Sequence, residues 1–241
     1  MGTLFSTVSA VSDKPRILSS YLTFSFCPSF WERDEGARAA VIEGLTTALQ
    51  GAVKRVEFYQ VFPARSEYDF FAWTTVDADA LEAPDATMAD IAKAISPYRD
   101  SVTSPLTLMG ITKPSVYAKQ RENPQEIDPY GDERQPYFVI YPFAKTADWY
   151  LKDKDERMQL MAEHIRVGKK YPAIKQLLLY SFGIQDQEFI VSYEMDDLPL
   201  FSDLVQELRS TSARIYTLLD TPIITGTRRT PQQMIEIFAA E

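Results

Sequence analysis

The only histidine of this 241-residue chain, His164, lies in a stretch whose apolar residues recur at helical spacing. Leu160, Met161 and Val167 share one side of the predicted helix with it, and Gly168 follows one turn later. An imidazole on such an apolar stripe faces the protein interior. Spacing alone favours a core histidine that is bonded to a backbone carbonyl, and a ligand role remains the alternative.

The rest of the sequence separates the kinds of chemistry that an interior imidazole could serve. A zinc site needs further imidazole or thiolate ligands, but His164 is the sole histidine and Cys27 the sole cysteine. A hydrolytic triad is disfavoured because no GxSxG sequence occurs and Cys27 lies far away along the chain. A porphyrin iron needs only one protein ligand, and imidazole serves well. Gly168 would leave room for the flat macrocycle.

Two further segments carry residues with chemical potential. Tyr141 and Lys145 stand at the end of the predicted strand YFVIYPF, shortly before Trp149. In the predicted strand AIKQLLLYSF, Gln176 shares a face with Leu178. A glutamine among such neighbours either satisfies its amide with the backbone or faces a ligand cavity. Likewise, Tyr141 could be an edge aromatic and Lys145 a solvated cation.

The elements that position these residues occur twice along the chain. Tyr21 recurs as Tyr137 after 116 positions, and Asp69 recurs as Glu188 after 119 positions. Each half is predicted as strand, helix, strand, strand, helix and a final strand. In order, the first half has YLTFSFCPSFW, ARAAVIEGLTTAL, VKRVEFYQVF, YDFFAWTTVD, ATMADIAKAI and LTLMGIT; the second has YFVIYPF, DERMQLMAEHIRV, AIKQLLLYSFG, EFIVSYEMD, LFSDLVQELRS and PIITGT.

This order predicts an α+β fold made of two ferredoxin-like halves in one chain. Their sheets could close into an antiparallel β-barrel with the helices outside. Residues 1–117 form the predicted N-terminal half and residues 136–241 the C-terminal half, which carries the candidate site. Residues 118–135 contain Asn-Pro, Asp-Pro and Gly signals and are predicted as a polar linker.

Composition limits the partners and the compartment. The net charge of −9 argues against nucleic-acid and anionic-membrane partners, because both favour clustered Lys and Arg. With one cysteine the chain has no intrachain disulfide, and Cys27 is predicted as a small buried residue in a strand. Residues 1–16 do not resemble a signal peptide, and no segment has the uninterrupted apolar length of a membrane span. We therefore expect a cytoplasmic protein.

Taken together, three blocks resemble the chlorite dismutase and coproheme decarboxylase family: YPFAKTADWYLKDKDERMQLMAEH, IKQLLLYSFGIQDQEF and LVQELRSTSAR. The likeness is strong from about Tyr137 to Gly226, and thinner in the first half, where it depends on the repeat and on MGITKPSVY. The resemblance implies one iron porphyrin per chain, haem b or coproheme, with His164 as the proximal iron ligand. It implies a homo-oligomeric ring, for which we favour a pentamer.

The resemblance also implies roles for other residues around the porphyrin. Lys145 falls near the proximal ligand, where it could steer a propionate. The remaining residues expected to contact the cofactor are Trp149, Tyr117, Leu178 and Ser212.

Two departures from the family pattern bear on the reaction. The distal arginine of the dismutases is replaced here by Gln176, or by Leu177 if the alignment gap is placed later. The glutamate that hydrogen-bonds the proximal histidine in the dismutases is replaced by Ala213, although Glu207 could reach in from another angle. A carboxylate partner strengthens the electron donation of the imidazole to iron, so its loss disfavours efficient chlorite breakdown.

We therefore predict a haem-dependent oxidoreductase of the coproheme decarboxylase type that uses peroxide. In this hypothesis Tyr141 passes an oxidising equivalent to a propionate, while Lys145 and Gln176 are the other catalytic residues. The alternatives are a chlorite dismutase, which converts chlorite to chloride and O2, and a haem-binding or sensing protein without turnover.

Overall fold

The computed structural model of the protein describes residues 15–79, 83–113 and 124–240. The fold is α+β, with antiparallel strands and helices on the outside. The strands are β1 (Ile17–Phe26), β2 (Arg55–Gln60), β3 (Phe70–Asp77), β4 (Val102–Thr103), β5 (Thr107–Thr112), β6 (Tyr137–Lys145), β7 (Lys175–Tyr180), β8 (Phe189–Met195), β9 (Thr217–Leu219) and β10 (Ile224–Arg229).

The helices follow the predicted order, with three short additions. They are α1 (Pro28–Trp31), α2 (Glu35–Ala52), α3 (Ala83–Ile95), α4 (Ala147–Leu151), α5 (Lys154–Gly168), α6 (Leu198–Arg209) and α7 (Pro231–Phe238). Two 3-10 turns, Ser96–Tyr98 and Ser212–Tyr216, follow α3 and α6. Within the three described ranges, none of the helices has both the length and the apolar composition that a lipid bilayer requires of a span.

The same order of strand pairing occurs twice in the sheet, and β10 connects the second set of strands back to the first. Neighbouring strands run β2-β3-β1-β5 and then β7-β8-β6-β10, so each predicted half places its second, third, first and last strands side by side in that order. β5 pairs with β7, and β10 pairs with β2 as well as with β6. The two halves are therefore joined by backbone hydrogen bonds at two places.

Alternation along the strands sorts the apolar side chains into three clusters. The inner cluster draws on all eight strands of this circuit and includes Tyr21, Trp73, Phe138 and Leu177. A second cluster lies between the first-half strands and the helices α2, α3 and α7. The third lies on the outer face of β6, β7 and β8, beneath α5 and α6. The candidate residues belong to this third region.

Local sequence explains where the site helix begins. The side chain of Asp153 accepts a hydrogen bond from the backbone N–H of Glu156 at 2.8 Å, which caps α5. Asp34 caps α2 in the same way through Ala37. The corresponding helices of the two halves therefore start with the same physical device.

The predicted strand from Tyr21 through Trp31 is too long in the sequence-based interpretation. β1 ends at Phe26, and Cys27 is the half-buried N-cap of α1 rather than a buried strand residue. The reason is Pro28, which has no N–H for a strand ladder and is favoured in the first turn of a helix. The predicted linker also contributes to the core, because Ile127 is buried and its N–H donates to the carbonyl of Gln176.

Candidate functional site

Helix α5 keeps its apolar stripe only half-buried, whereas its counterpart α2 is fully packed. Leu160, Met161, His164 and Ile165 are all partly exposed, and only Val167 of α5 is fully buried. α2 buries a complete stripe against the strands: Val41, Ile42, Leu45, Thr46 and Leu49. The close backbone contacts of α5 are with α6 and with the Ser212–Tyr216 turn. Space is therefore left along the apolar side of α5.

His164 lies on this stripe as a neutral imidazole. Burial, followed by the positive charge of Lys145, lowers the pKa of His164 to about 4. The ring is therefore unprotonated at neutral pH, and one ring nitrogen keeps a lone pair for a metal. A Cβ on Gly168, one turn later, would meet no atom within 4 Å outside the helix.

Lys145 ends β6 next to the imidazole. Its ammonium Nζ lies 4.9 Å from the ring centre of Trp149 and 3.3 Å from Oγ1 of Thr217. Burial and the nearby Arg214 lower the pKa of Lys145 to about 8, against the opposing effect of Glu188. The amine is therefore mainly protonated at pH 7 and is well placed to accept an anionic partner.

Tyr141 lies four residues earlier on the same face of β6. Burial raises its pKa, while an interaction with the hydroxyl of Tyr193 and the charge of Arg209 act in the opposite direction. Arg209 and Arg214 both contact Asp220, at 2.5 and 3.3 Å. Sequence analysis missed these two arginines as part of the site. The only signal was their presence in LVQELRSTSAR, which gives no indication that they approach Tyr141.

The two candidates for the distal position point to opposite faces of β7. Leu177 is buried in the inner cluster, away from α5. Gln176 is exposed and is paired across the strands with Tyr193, and Leu178 is paired with Val191. Because Tyr193 and Val191 belong to the cluster beneath α5, Gln176 and Leu178 face the candidate site.

Ser212 binds to α5 beside the histidine. Its backbone N–H donates to Oε2 of Glu163 at 2.9 Å, and its hydroxyl also bonds this carboxylate. Ala213, next in the chain, is buried. Tyr117, which was predicted to contact the cofactor, lies outside the described residues.

Glu207 has other partners than the imidazole. Its carboxylate forms an ion pair with Lys170 and accepts a hydrogen bond from the hydroxyl of Tyr171 at 3.1 Å. The idea that Glu207 replaces the missing carboxylate partner of His164 is therefore not supported by these contacts.

In this site His164 is the metal-ligating group, and the positive charges lie on one side only. A neutral imidazole projects from the half-buried apolar stripe of α5, opposite a sheet face that presents a phenol, an amide and apolar side chains. Lys145 and two arginines make one side of this space positive. The donor set and the space along α5 fit a flat apolar macrocycle with one axial ligand and acidic substituents.

The chain belongs to the chlorite dismutase family. The model of that family, described as chlorite dismutase, matches residues 37–229, which include every described candidate residue.

The relatives agree with this membership. Coproheme decarboxylase from Mycolicibacterium smegmatis is 32% identical over 225 residues, which cover 89% of this chain and 92% of that protein. A solved structure described as a chlorite dismutase is 25% identical, with a TM-score of 0.76 over 93% of this chain and 99% of the other. A chlorite dismutase variant from Candidatus Nitrospira defluvii has a TM-score of 0.78 at 21% identity, over 93% and 96% of the two chains. That last likeness concerns the fold.

Proposed function

We propose that this protein is a haem-dependent enzyme that oxidatively decarboxylates the propionates of coproheme with peroxide. The observation that carries the proposal is the arrangement of Tyr141 and Lys145 on one strand face beside the neutral imidazole of His164. The family membership and the similarity to a coproheme decarboxylase support it.

His164 would hold the iron, and Trp149, Leu178 and Ser212 would line the space around the macrocycle. When bound, an iron porphyrin treated with peroxide supplies the two oxidising equivalents that the reaction needs. Lys145 and Arg214 would bind the acidic substituents, because the protein offers its positive charge on that side. The approach of a carboxylate would raise the pKa of Lys145 above 8 and keep the amine charged.

The overall reaction balances for each propionate. The side chain R–CH2–CH2–COO⁻ becomes R–CH=CH2 and CO2 by losing one hydrogen atom and one electron. Hydrogen peroxide takes up the two electrons and, with two protons, becomes two water molecules. One proton is therefore consumed from solution in each cycle.

Tyr141 is the residue through which the first oxidation would pass. Its phenol gives up one electron and one proton, and the resulting phenoxyl takes a hydrogen atom from a propionate carbon. The second electron leaves as the carbon–carboxylate bond breaks. Lys145 holds the carboxylate near the phenol and can supply a proton beside it.

Chlorite turnover is the second candidate, since the family model and the solved structures are described as chlorite dismutases. Gln176 argues against chlorite turnover, because a neutral amide replaces the cation that would hold an anionic substrate. A haem carrier without turnover would bind the porphyrin but leave it unchanged by peroxide.

We further propose that the chain consists of two ferredoxin-like halves, residues 1–117 and 136–241, joined by residues 118–135 into a β-barrel. The strand order repeated in both halves supports this division.

A ring-shaped homo-oligomer, with a pentamer favoured, is supported by exposed apolar side chains such as Leu151, Ile215 and Leu218, at 83%, 73% and 72% exposure. Native mass spectrometry tests the subunit number. The cytoplasmic location stays a prediction.

Tyr141→Phe tests the decarboxylation. The variant keeps the ring and its packing but loses the phenolic oxygen, so coproheme should bind as in the wild type. Peroxide-driven conversion, followed by the mass of the porphyrin and by released CO2, should be lost. Tyr137→Phe, on the same strand face, is the matched control and should convert coproheme normally. If the wild type releases no CO2, or Tyr141→Phe releases it equally fast, the assignment is wrong.

A further inference from the structure

An acidic side chain holds the end of the first strand in each predicted half. Glu188 directly precedes β8, and its Oε2 atom accepts a hydrogen bond from the backbone N–H of Lys145 at 2.7 Å. Asp69 directly precedes β3, and its Oδ2 atom accepts from the backbone N–H of Phe26, also at 2.7 Å. Donor and acceptor both recur after 119 positions. The two halves therefore contain the same hydrogen bond at the same place.

The side chains next to this bond differ between the halves. In the first half Phe26 stacks on Phe30 with ring centres 3.9 Å apart, and both rings belong to the buried core. Lys145 and Trp149 take the corresponding positions in the second half, again 119 residues later. There the ammonium lies 4.9 Å from the ring centre. An aromatic pair of the core is therefore replaced, at the candidate site, by a cation on an aromatic ring.

Two further contacts hold Glu188 in place. Its backbone carbonyl accepts the N–H of Ser181 at 2.8 Å, which fixes Glu188 at the connection between β7 and β8. Its Oε2 atom also accepts a hydrogen bond from the hydroxyl of Tyr150 in α4, at 2.5 Å. One carboxylate oxygen thus joins the end of β6 to the helix that follows it.

The strand ladders do not extend regularly to Lys145. The pairing of β6 with β8 ends at Phe143, and the pairing of β6 with β9 shifts its register between Ala144 and Lys145. The ammonium of lysine stands on a flexible four-carbon stem, so a displaced backbone also displaces the charge. The bond to Glu188 supplies a fixed point for this backbone where the β6–β8 ladder has already ended.

We propose that Glu188 is a positioning residue for Lys145: its carboxylate fixes the end of β6, and thereby the ammonium group that receives a propionate of the porphyrin. The inference rests on the proposed function for the ligand of Lys145, whereas the hydrogen bond is a property of the chain without porphyrin. Glu188 makes no contact with the substrate in this role. Its effect on binding passes entirely through the amine of Lys145.

The first experiment uses the protein without porphyrin. In protein labelled with ¹⁵N-lysine, the amide signal of Lys145 is assigned by its absence in Lys145→Arg. In Glu188→Ala the amide proton should move to higher field and exchange with solvent at least about 10-fold faster, the factor for one hydrogen bond to a charged group. Asp69→Ala removes the equivalent bond of the first half and should leave this amide unchanged. An unchanged Lys145 amide in Glu188→Ala overturns the proposal.

The second experiment compares two porphyrins of nearly the same size by optical titration. Coproheme carries free carboxylates, which its tetramethyl ester lacks. Glu188→Ala should weaken coproheme binding roughly 3- to 10-fold, as for a single charge-assisted hydrogen bond, and should bind the ester as the wild type does. Glu188→Gln keeps an oxygen acceptor for the N–H of Lys145 and should restore most of the loss.

Asp69→Ala is the matched control for this comparison, because it loses the same bond away from the site. It should be destabilised to a similar extent as Glu188→Ala, measured by urea denaturation, and yet bind both porphyrins as the wild type does. Equal losses of affinity for coproheme and for the ester in Glu188→Ala would indicate a general structural role and would overturn the proposal.

A double-mutant cycle tests whether Glu188 acts through the amine. Lys145→Met keeps the backbone N–H and an unbranched side chain but removes the charge. When Glu188→Ala is added to Lys145→Met, the preference for coproheme over the ester should not fall further. A full additional loss would show that Glu188 acts independently of Lys145, and the proposal would then be wrong.

The failure of this proposal can be told apart from the failure of the proposed function. If peroxide releases no CO2 from coproheme, the proposed reaction fails, while the amide and binding experiments still decide the role of Glu188. If Lys145→Met prefers coproheme over the ester as strongly as the wild type does, Lys145 holds no carboxylate, and the role of Glu188 is overturned with it.

A second route applies if Glu188→Ala does not fold. The scalar coupling across the hydrogen bond, between the amide nitrogen of Lys145 and the carboxylate carbon of Glu188, is then measured in the wild type, and its absence overturns the proposal. Glu188→Asp, whose carboxylate is drawn back by one methylene, replaces the alanine variant in the binding experiments. It should lose affinity for coproheme but not for the ester.

Discussion

At the scale of single residues, the charge state of His164 is set by its surroundings before any ligand binds. Burial and the positive charge of Lys145 hold its pKa at about 4, so that the ring is neutral over the physiological range. A histidine with an ordinary pKa of about 6.5 would be partly protonated at pH 6 and would lose affinity for iron there. The placement of Lys145 therefore also protects the ligand role of the imidazole.

His164→Ala tests that ligand role directly. The change removes the only imidazole, so the Soret band of bound porphyrin should disappear or broaden and the affinity should fall sharply. Optical titration with haem b and with coproheme measures both. Arg157→Ala, a change elsewhere on α5, serves as a control for loss of helix structure. Spectra and affinity equal to those of the wild type in His164→Ala would refute the proposed ligand.

Gln176→Arg tests the meaning of the neutral distal residue. Loss of one preorganised charge partner costs on the order of 10²–10³ in rate, so the wild type should release little O2 from chlorite before it is inactivated. The variant restores a cation on the face that carries Tyr193 and should release O2 faster. Leu177→Arg is the opposed change, because it buries the cation in the inner cluster and should destabilise the protein. Sustained O2 release by the wild type, measured with an oxygen electrode, would contradict this prediction.

Sequence could identify His164, Lys145 and Tyr141 as candidates, but it could not choose between Gln176 and Leu177. A shift of one residue in a strand moves a side chain to the opposite face. The choice therefore depends on the pairing of β7 with β8, which is a long-range property. Arg209 and Arg214 were not predicted, because their proximity to the site is also a long-range property: α6 and the following turn approach β6 only in the folded chain.

At the scale of elements, two helices with the same place in the repeat pack differently. α2 buries its stripe on the strands, whereas α5 leaves its stripe half-buried and presents His164 there. A helix normally gains most of its stability from burying its apolar face. α5 therefore lacks part of this stabilisation, and its uncovered stripe leaves space for a ligand. We expect porphyrin binding to raise the stability of the protein, because a ligand that binds the folded state stabilises it.

Gly168 provides a graded test of that space. Gly168→Ala should raise the melting temperature of the apoprotein slightly, because alanine favours a helix over glycine by about 1 kcal/mol. Gly168→Leu should fold equally well, since the glycine meets no atom within 4 Å beyond its own helix. The leucine side chain should, however, lower the affinity for coproheme, measured by optical titration. If Gly168→Leu binds coproheme as tightly as Gly168→Ala does, the macrocycle does not lie against this turn.

Predictions for elements succeeded where the apolar periodicity was clear and failed where a local signal was overlooked. α5 begins at Lys154, one residue before the predicted start at Asp155, and ends at Gly168. The strand through Cys27 was extended too far because the alternation of apolar residues continues past Pro28. α7 was missed, although Thr230 and Gln233 form a capping box and Pro231 stands in the first turn.

At the scale of the whole molecule, two seams, β5–β7 and β10–β2, join the predicted halves, and each carries a glycine in close contact with residues across the seam. Gly110 lies on β5, near the pairing with β7, and Gly226 lies on β10, between β2 and β6. The two glycines are separated by the same 116 positions that relate Tyr21 to Tyr137. The sequence predicts this repeat, but it could not predict that a side chain at either glycine would meet residues across a seam.

The geometry at each seam leaves no room for a methyl group. A Cβ on Gly226 would lie 2.7 Å from Cε1 of Phe71 and 2.8 Å from Cβ of Tyr59. A Cβ on Gly110 would lie 2.9 Å from Cβ of Leu179 and 2.8 Å from Oγ of Ser181. The Cβ atoms of Tyr59 and Leu179 are fixed to their strands, so relief requires movement of a backbone.

Gly226→Ala and Gly110→Ala should each lower the free energy of unfolding by about 1–3 kcal/mol, the usual cost of overpacking a filled core. Gly51→Ala is the matched control: it lies in α2, has nothing within 4 Å and should raise stability by up to about 1 kcal/mol. Urea denaturation at one protein concentration, with and without bound porphyrin, measures all three variants. If the seams set the position of the site, the two seam variants should also weaken porphyrin binding, because β6 and β7 carry Tyr141 and Gln176. Seam variants as stable as Gly51→Ala would show that the halves can separate slightly without cost, and would remove the seams as determinants of the fold.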